Sequence, residues 1–193
     1  HQHVRHPGRF PEVSLPCHGI THRFPNPCAH DRKTMLEHTP EGLYCAAADV
    51  WIDPWRPVPR AVITHGHSDH ARSGMGSYLC AREGLGVLRT RLGGDAVLQG
   101  LDYATPLRLG RAELSFHPAG HLLGSAQVRL AVDGEVWVVS GDYRVAVDRT
   151  ATAFVPVPCN VFVSESTFGL PLYRWRPQAE IAREIAEWWA ANA

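Results

Sequence analysis

The chain has 193 residues, 45% of them apolar and 20% charged, with acidic and basic side chains in equal number and a formal net charge of zero. That length suits one domain with a sizeable core and leaves little room for two, and the composition excludes a fully disordered chain. The balanced charge excludes the global basic field of a dedicated nucleic-acid binder, so a nucleic-acid substrate would be held by a local patch or by bound metals.

Residues 1–34 are dense in His, Pro and Arg and show neither helical nor strand periodicity. They read as a disordered leader or mis-called upstream sequence, without a starting Met. Nothing fixes the mutual geometry of the six histidines there, so no functional metal site is expected among them. The folded part is expected to begin near Met35. GLYCAAADVWID reads as two short strands around a turn, ending at Asp53. Pro54, Pro57 and Pro59 then make a rigid connection to RAVITH (60–65), a compact buried strand. SYLCA (77–81) is a further short strand, followed by helical EGLGVLRTRLG with Gly93 and Gly94 as its stop. Three strand candidates come next: TPLRLG, AELSFHPA and SAQVRLAV. Asp133 and Gly134 form a hairpin turn into EVWVVSGD. NVFVSEST (160–167) reads as another buried strand. In RPQAEIAREIAEWWAANA, Pro177 marks a helix start, and Ile181, Ile185, Trp188 and Trp189 recur at helical spacing. That stripe predicts core or interface rather than a cofactor box. The chain stops inside this helix without a C-cap glycine, which reads as a cut.

Five cysteines (Cys17, Cys28, Cys45, Cys80 and Cys159) stand at irregular spacings with no CxxC pair. They read as buried or incidental thiols of a reducing compartment rather than a disulfide framework or zinc ribbon. With no apolar run of membrane-spanning length and no signal peptide, the expected location is cytoplasmic, away from membranes.

The chemistry concentrates in THGHSDHA, residues 64–71. His65, His67, Asp69 and His70 fall within six residues directly after the strand AVIT, and Gly66 and Ser68 allow a tight loop. Imidazoles and a carboxylate are the donors zinc prefers. Four donors on so short a loop cannot all crowd one tetrahedral ion. The natural arrangement is two adjacent ions, with His65 and His67 on one and Asp69 and His70 on the other.

This pattern resembles the signature of the metallo-β-lactamase superfamily. The resemblance implies an α/β (α+β) fold, an αββα sandwich that is incomplete in this chain, and two divalent ions, zinc first with manganese as the alternative. It also implies a third histidine for the first ion and an aspartate bridging both. AGHLLGSA supplies His121, preferred to His117 because it sits at the turn after the strand. VVSGDYR supplies Asp142 at the end of an apolar strand, where a carboxylate is costly to bury unless it meets a cation. The implied strand-end aspartate that orients the loop is Asp53, with Asp49 as the alternative.

VFVSESTFG, with Glu165 before Ser-Thr-Phe-Gly, resembles the acidic motif that opens the β-CASP region of the nucleic-acid-cutting branch. There Glu165 would position a histidine that this chain lacks, since no histidine follows His121. From about Met35 onward the chain is similar to bacterial ligase-associated DNA exonucleases. The implied layout is the N-terminal part of the metallo-β-lactamase domain over 35–168 and the start of a cap region over 169–193. The implied function is two-metal cleavage of DNA by an exonuclease of a repair set that includes a ligase and a helicase. Asp53, Asp69, Asp142 and Glu165 would be the catalytic acids. The alternatives are an RNA-cutting relative, a small-ester or thioester hydrolase, and a non-catalytic metal-binding fragment. Arg72, Arg144, Arg174 and Arg176 flank the motifs as candidate phosphate contacts, although ordinary exposure statistics favour a solvated position for each. Because C-terminal strands complete the superfamily's sandwich, an exposed apolar face that includes Trp188 and Trp189 is also expected.

Overall fold

The structure, a computed structural model, describes residues 34–193, so the proposed leader lies outside the described residues except for Thr34. Met35 and Leu36 are already buried in the core. Among the described residues eleven strands form two sheets. The first runs β1 (Glu37–Thr39), β2 (Gly42–Cys45), β3 (Val50–Ile52), β4 (Ala61–Ile63), β5 (Tyr78–Ala81) and β6 (Leu98–Leu101), in that spatial order. The second comprises β7 (Leu107–Leu109), β8 (Ala112–Pro118), β9 (Ala126–Val132), β10 (Glu135–Val139) and β11 (Val161–Val163), again in order.

Alternation along the strands builds the sandwich. Val50, Ile52 and Val62 of the first sheet meet Leu114, Phe116, Val128 and Leu130 of the second in one buried cluster. The opposite face of β4 and β5, with Ala61, Ile63, Tyr78 and Cys80, is covered by Leu88 of helix α1 (Leu85–Leu92). The fold is therefore mixed α/β, with two sheets and two α-helices among the described residues. Cys45, Cys80 and Cys159 are free thiols, and burial pushes the Cys80 thiol up to about 12, out of the reactive range. Among the described residues no helix is long and apolar enough to cross a membrane.

Three expectations are corrected. Strands β1 and β6 were not foreseen: each is only three or four residues long and lacks an alternating pattern. The segment 160–167 yields a strand only over Val161–Val163, and Phe162 is exposed, so this is not a buried strand. The last helix, α2 (Gln178–Ala191), starts at Pro177 as anticipated but buries no residue. Ile181, Ile185, Trp188 and Trp189 are all exposed, so of core and interface the stripe is not core, which agrees with the exposed apolar face expected around Trp188 and Trp189. Periodicity reports that a helix has an apolar face, not what covers it.

Strand direction decides where the chemistry gathers. β3 and β4 are parallel neighbours, with Ile52 opposite Val62, so Asp53 and the loop after Ile63 leave the sheet at the same end. β10 and β11 are also parallel, with Val139 opposite Val163, which brings Asp142 and Glu165 out together. The Ala126 N–H donates to the Thr64 carbonyl at 2.8 Å, tying the β8–β9 turn to that end. Clefts beyond the carboxyl ends of parallel strands are the usual ligand sites of such sheets.

Candidate metal centre

His65, His67, His121 and Asp142 each offer one donor atom, and all four atoms lie within 4.8 Å of one another. His65 Nε2 stands 3.0 Å from His67 Nδ1, and His121 Nε2 stands 3.3 Å from the same atom. Asp142 Oδ2 completes the group at 3.6 Å from His65 Nε2 and 3.7 Å from His121 Nε2. Tetrahedral zinc with bonds near 2.0–2.1 Å requires donor–donor edges of roughly 3.3 Å. The observed spacing thus fits a cation at the centre.

Protonation agrees. Burial, and then the neighbouring imidazoles, push His65 down to about 2, so its ring stays neutral. Thr64 Oγ1 donates to Asp53 Oδ2 at 2.6 Å, which leaves its lone pairs for His65 Nδ1 at 3.1 Å. His65 therefore carries its proton on Nδ1 and turns a bare Nε2 toward His67. His121 is also held below its ordinary value, by burial, against the opposing pull of Asp142.

A second group adjoins the first. His70 Nε2 lies 3.6 Å from Asp69 Oδ2 and 3.5 Å from Asp142 Oδ1. Asp142 thus turns Oδ2 to one group and Oδ1 to the other. The His70 Nδ1–H donates to Asp53 Oδ2 at 2.7 Å, and the Thr64 N–H donates to Asp53 Oδ1 at 2.8 Å. Burial alone would lower the His70 pKa, but the hydrogen bond and charge of Asp53, with Asp142 and Asp69, raise it. The His/Asp cluster can hold a metal ion.

The β8–β9 turn places His121. Ser125 Oγ accepts from the His121 and Leu122 N–H groups at 3.0 and 3.2 Å. Gly124, at φ 77, packs its backbone against Gly84 so closely that a Cβ would lie 2.2 Å from the Gly84 Cα.

No family model matches the chain. Among curated proteins, it is 30% identical over 148 residues to a "Probable DNA ligase" of Opitutus terrae, covering 75% of this chain and 14% of that protein. It is 33% identical over 89 residues to an endoribonuclease, ysh-1, of Neurospora crassa, covering 45% of this chain and 10% of the relative. It is 34% identical over 80 residues to an RNase J-like protein of Methanocaldococcus jannaschii, covering 39% and 18%. These similarities are consistent with the metallo-β-lactamase resemblance of the histidine loop. It spans no more than 18% of the length of these three relatives. A solved structure of a CmlA β-hydroxylase variant aligns over 54% of this chain and 29% of its own, at 17% identity and a TM-score of 0.43.

All six residues named as metallo-β-lactamase-type ligands, His65, His67, Asp69, His70, His121 and Asp142, converge at this end of the sandwich. Asp53 rather than Asp49 meets the histidine loop. Asp49 instead pairs with Arg60 at 2.7 Å and accepts from the Tyr44 hydroxyl. His117 lies outside the cluster, with its Nε2 3.0 Å from Ser115 Oγ. Glu165 lines the same cavity as Asp53, Asp69, His70 and Asp142, and its carboxylate accepts from the Tyr143 and Thr167 N–H groups. Arg144 is engaged by Asp148 and Gln178, and Arg176 by Glu180 and Glu184. Arg72 and Arg174 are exposed. Thr64 and Ser125 escaped sequence reasoning. The Ser125 contact had a readable signal, a hydroxyl at a turn with a glycine beside it, whereas nothing local pairs Thr64 with Asp53.

Proposed function

We propose that this chain carries the centre of a two-metal hydrolase that cleaves phosphodiester bonds, with DNA as the first substrate. The observation that carries the reading is Asp142, whose two oxygens face separate donor groups, Oδ2 toward His65 and His121 and Oδ1 toward His70. His65, His67 and His121 would hold one ion, Asp69 and His70 the other, and Asp142 both. Zinc suits this donor set, with manganese as the alternative. Bound divalent ions supply an activated water at neutral pH and neutralise charge on phosphoryl oxygens. The chain's own residues do the positioning. Thr64 and Asp53 hold the His65 and His70 rings in one tautomer and orientation, and Asp53 at the same time fixes the loop backbone. Glu165 braces the strand-end loop that carries Asp142 by accepting the Tyr143 N–H.

DNA is supported by the length of the match to the protein named as a ligase, and with DNA as substrate the reading is an exonuclease of a repair set that includes a ligase and a helicase. RNA is the second reading, supported by the names of the endoribonuclease and RNase J-like relatives. A small-ester hydrolase or a non-catalytic metal-binding fragment are the other outcomes of the test. The test measures metal content and cleavage of labelled single-stranded DNA, matched RNA and a small ester by the chain and by Asp142→Ala. Two ions per chain and DNA shortening, both lost in Asp142→Ala, are expected. Preferential RNA cleavage moves the substrate, ester hydrolysis alone removes the nuclease reading, and a single bound ion without hydrolysis leaves a metal-binding fragment.

A further inference from the structure

The cavity beside the centre has a volume of about 290 Å³ and joins Asp53, Asp69, His70, Asp142 and Glu165 to an apolar wall that includes Ile52 and Val163. No lysine or arginine lines it among the described residues. Its carboxylates repel a phosphate wherever bound metal does not compensate, so the side chains by themselves offer a phosphate no cationic contact. Away from the metal ligands, the apolar wall of Leu43, Ile52, Val139 and Val163 suits an uncharged part of a ligand.

Trp55 also lines this cavity, 41% exposed. Its ring is held from behind. The Trp55 N–H donates to the Glu41 carbonyl at 2.9 Å, and the indole Nε1–H donates to the Pro40 carbonyl at 2.8 Å. Pro54 before it is fully buried, and the His38 ring packs beside it with centroids 5.4 Å apart. Both donors of the residue are thus spent on the β1–β2 turn. What Trp55 offers the cavity it lines is a braced aromatic side chain with no free hydrogen-bond donor.

We propose that Trp55 is a stacking platform for one nucleobase of single-stranded nucleic acid, seated beside the metal centre. This inference rests on the nuclease reading and deepens it. A π-face accepts any base and either sugar, so the platform works for DNA and RNA alike and imposes little sequence preference. Immobilising the ring beforehand means that little freedom is lost when the base docks.

The test is equilibrium binding of a fluorescein-labelled phosphorothioate oligothymidylate, which resists cleavage, to the zinc-loaded chain. A second strand carries abasic residues in place of thymidines. Trp55→Ala should weaken binding of the thymidine strand by roughly 5- to 150-fold, the usual worth of one stacked base, while Trp55→Phe keeps most of it. Abasic substitution should cost the wild type a similar factor and Trp55→Ala nothing, and zinc content should match in all three proteins. Equal affinity of the wild type for the two strands overturns the platform, and this arm needs no variant to fold. Equal affinity of the wild type and Trp55→Ala for thymidine overturns it as well. The nuclease reading fails separately. An unmodified strand left uncut despite base-dependent binding removes the nuclease and keeps the platform, whereas cleavage indifferent to the base removes the platform alone.

Discussion

Asp53 Oδ2 lies 2.7 Å from His70 Nδ1, and this contact decides which nitrogen of the His70 ring faces Asp69 and Asp142. Asp53 holds the position from a left-handed backbone, φ 44, which a non-glycine residue keeps only when its surroundings over-determine it. Asp53→Ala frees the His70 ring and leaves the Thr64 N–H without its partner. Metal affinity is expected to fall by about 10- to 100-fold, as for other residues that orient a ligand. The loss should concentrate in the ion proposed for Asp69 and His70. Competition with a chromophoric chelator measures it, and unchanged affinity and stoichiometry would falsify the role assigned to Asp53.

Thr64 is the hinge between Asp53 and His65. Its hydroxyl gives a proton to one and takes a hydrogen bond from the other. Thr64→Val keeps the shape and removes both bonds, so His65 loses the preference for its Nδ1–H tautomer. Thr64→Ser restores them. Nitrogen-15 NMR of the imidazole should show mixed tautomers in metal-free Thr64→Val and one tautomer in Thr64→Ser. A single Nδ1–H tautomer in Thr64→Val would sink the argument.

Acid should unfold the metal-free chain earlier than its carboxylates alone require. His65 is held down to about 2 by burial, whereas in the unfolded chain it titrates near its ordinary 6.5. Between these values the unfolded chain binds a proton that the folded one refuses. Stability is therefore lost as pH falls below about 6.5, by up to about 1.4 kcal/mol per unit for this one group. His117 and His121, both lowered chiefly by burial, act in the same sense. His70, raised overall, acts oppositely: its contribution is complete below its unfolded value and is lost as pH rises through the folded one. Urea unfolding in the presence of a chelator, at stepwise lower pH, should show stability declining from near neutrality. A flat profile would contradict it.

Gly124→Ala should damage the turn that carries His121. The position has φ 77, and a Cβ there would meet the Gly84 backbone at 2.2 Å, where no flexible side chain can yield. A loss of about 1–3 kcal/mol is expected from the strained dihedral and the clash together. Denaturant unfolding reads the stability, and chelator competition reads the displaced His121. Gly134→Ala, also at positive φ but with open space around it, is the control for the dihedral alone.

The short-range part of this centre was legible because spacing constrains it. His65, His67, Asp69 and His70 sit on seven residues of loop after a buried strand, and donors so close along the chain cannot separate far. Asp53 was preferred to Asp49 because it ends a strand, and the preference matches the partner each one finds. The apolar stripe on α2 was equally visible, but the sequence left core and interface both open, because a pattern on one helix carries no information about a neighbour. β1 and β6 escaped notice because such short strands are defined by their pairing partners rather than by their own periodicity.

By itself the sequence determined the donor types and their order along the chain. Only the tertiary structure decided that Asp142 turns one oxygen to each group, that Thr64 links Asp53 to His65, and that Trp55 lines one cavity with Asp53 and Asp142. Those relationships depend on the parallel register of β3 with β4 and of β10 with β11, and on the tie between Ala126 and Thr64 that joins the two sheets. Local spacing governs contacts within a few residues. Contacts across a sandwich are set by which strands pair, in which direction and in which register.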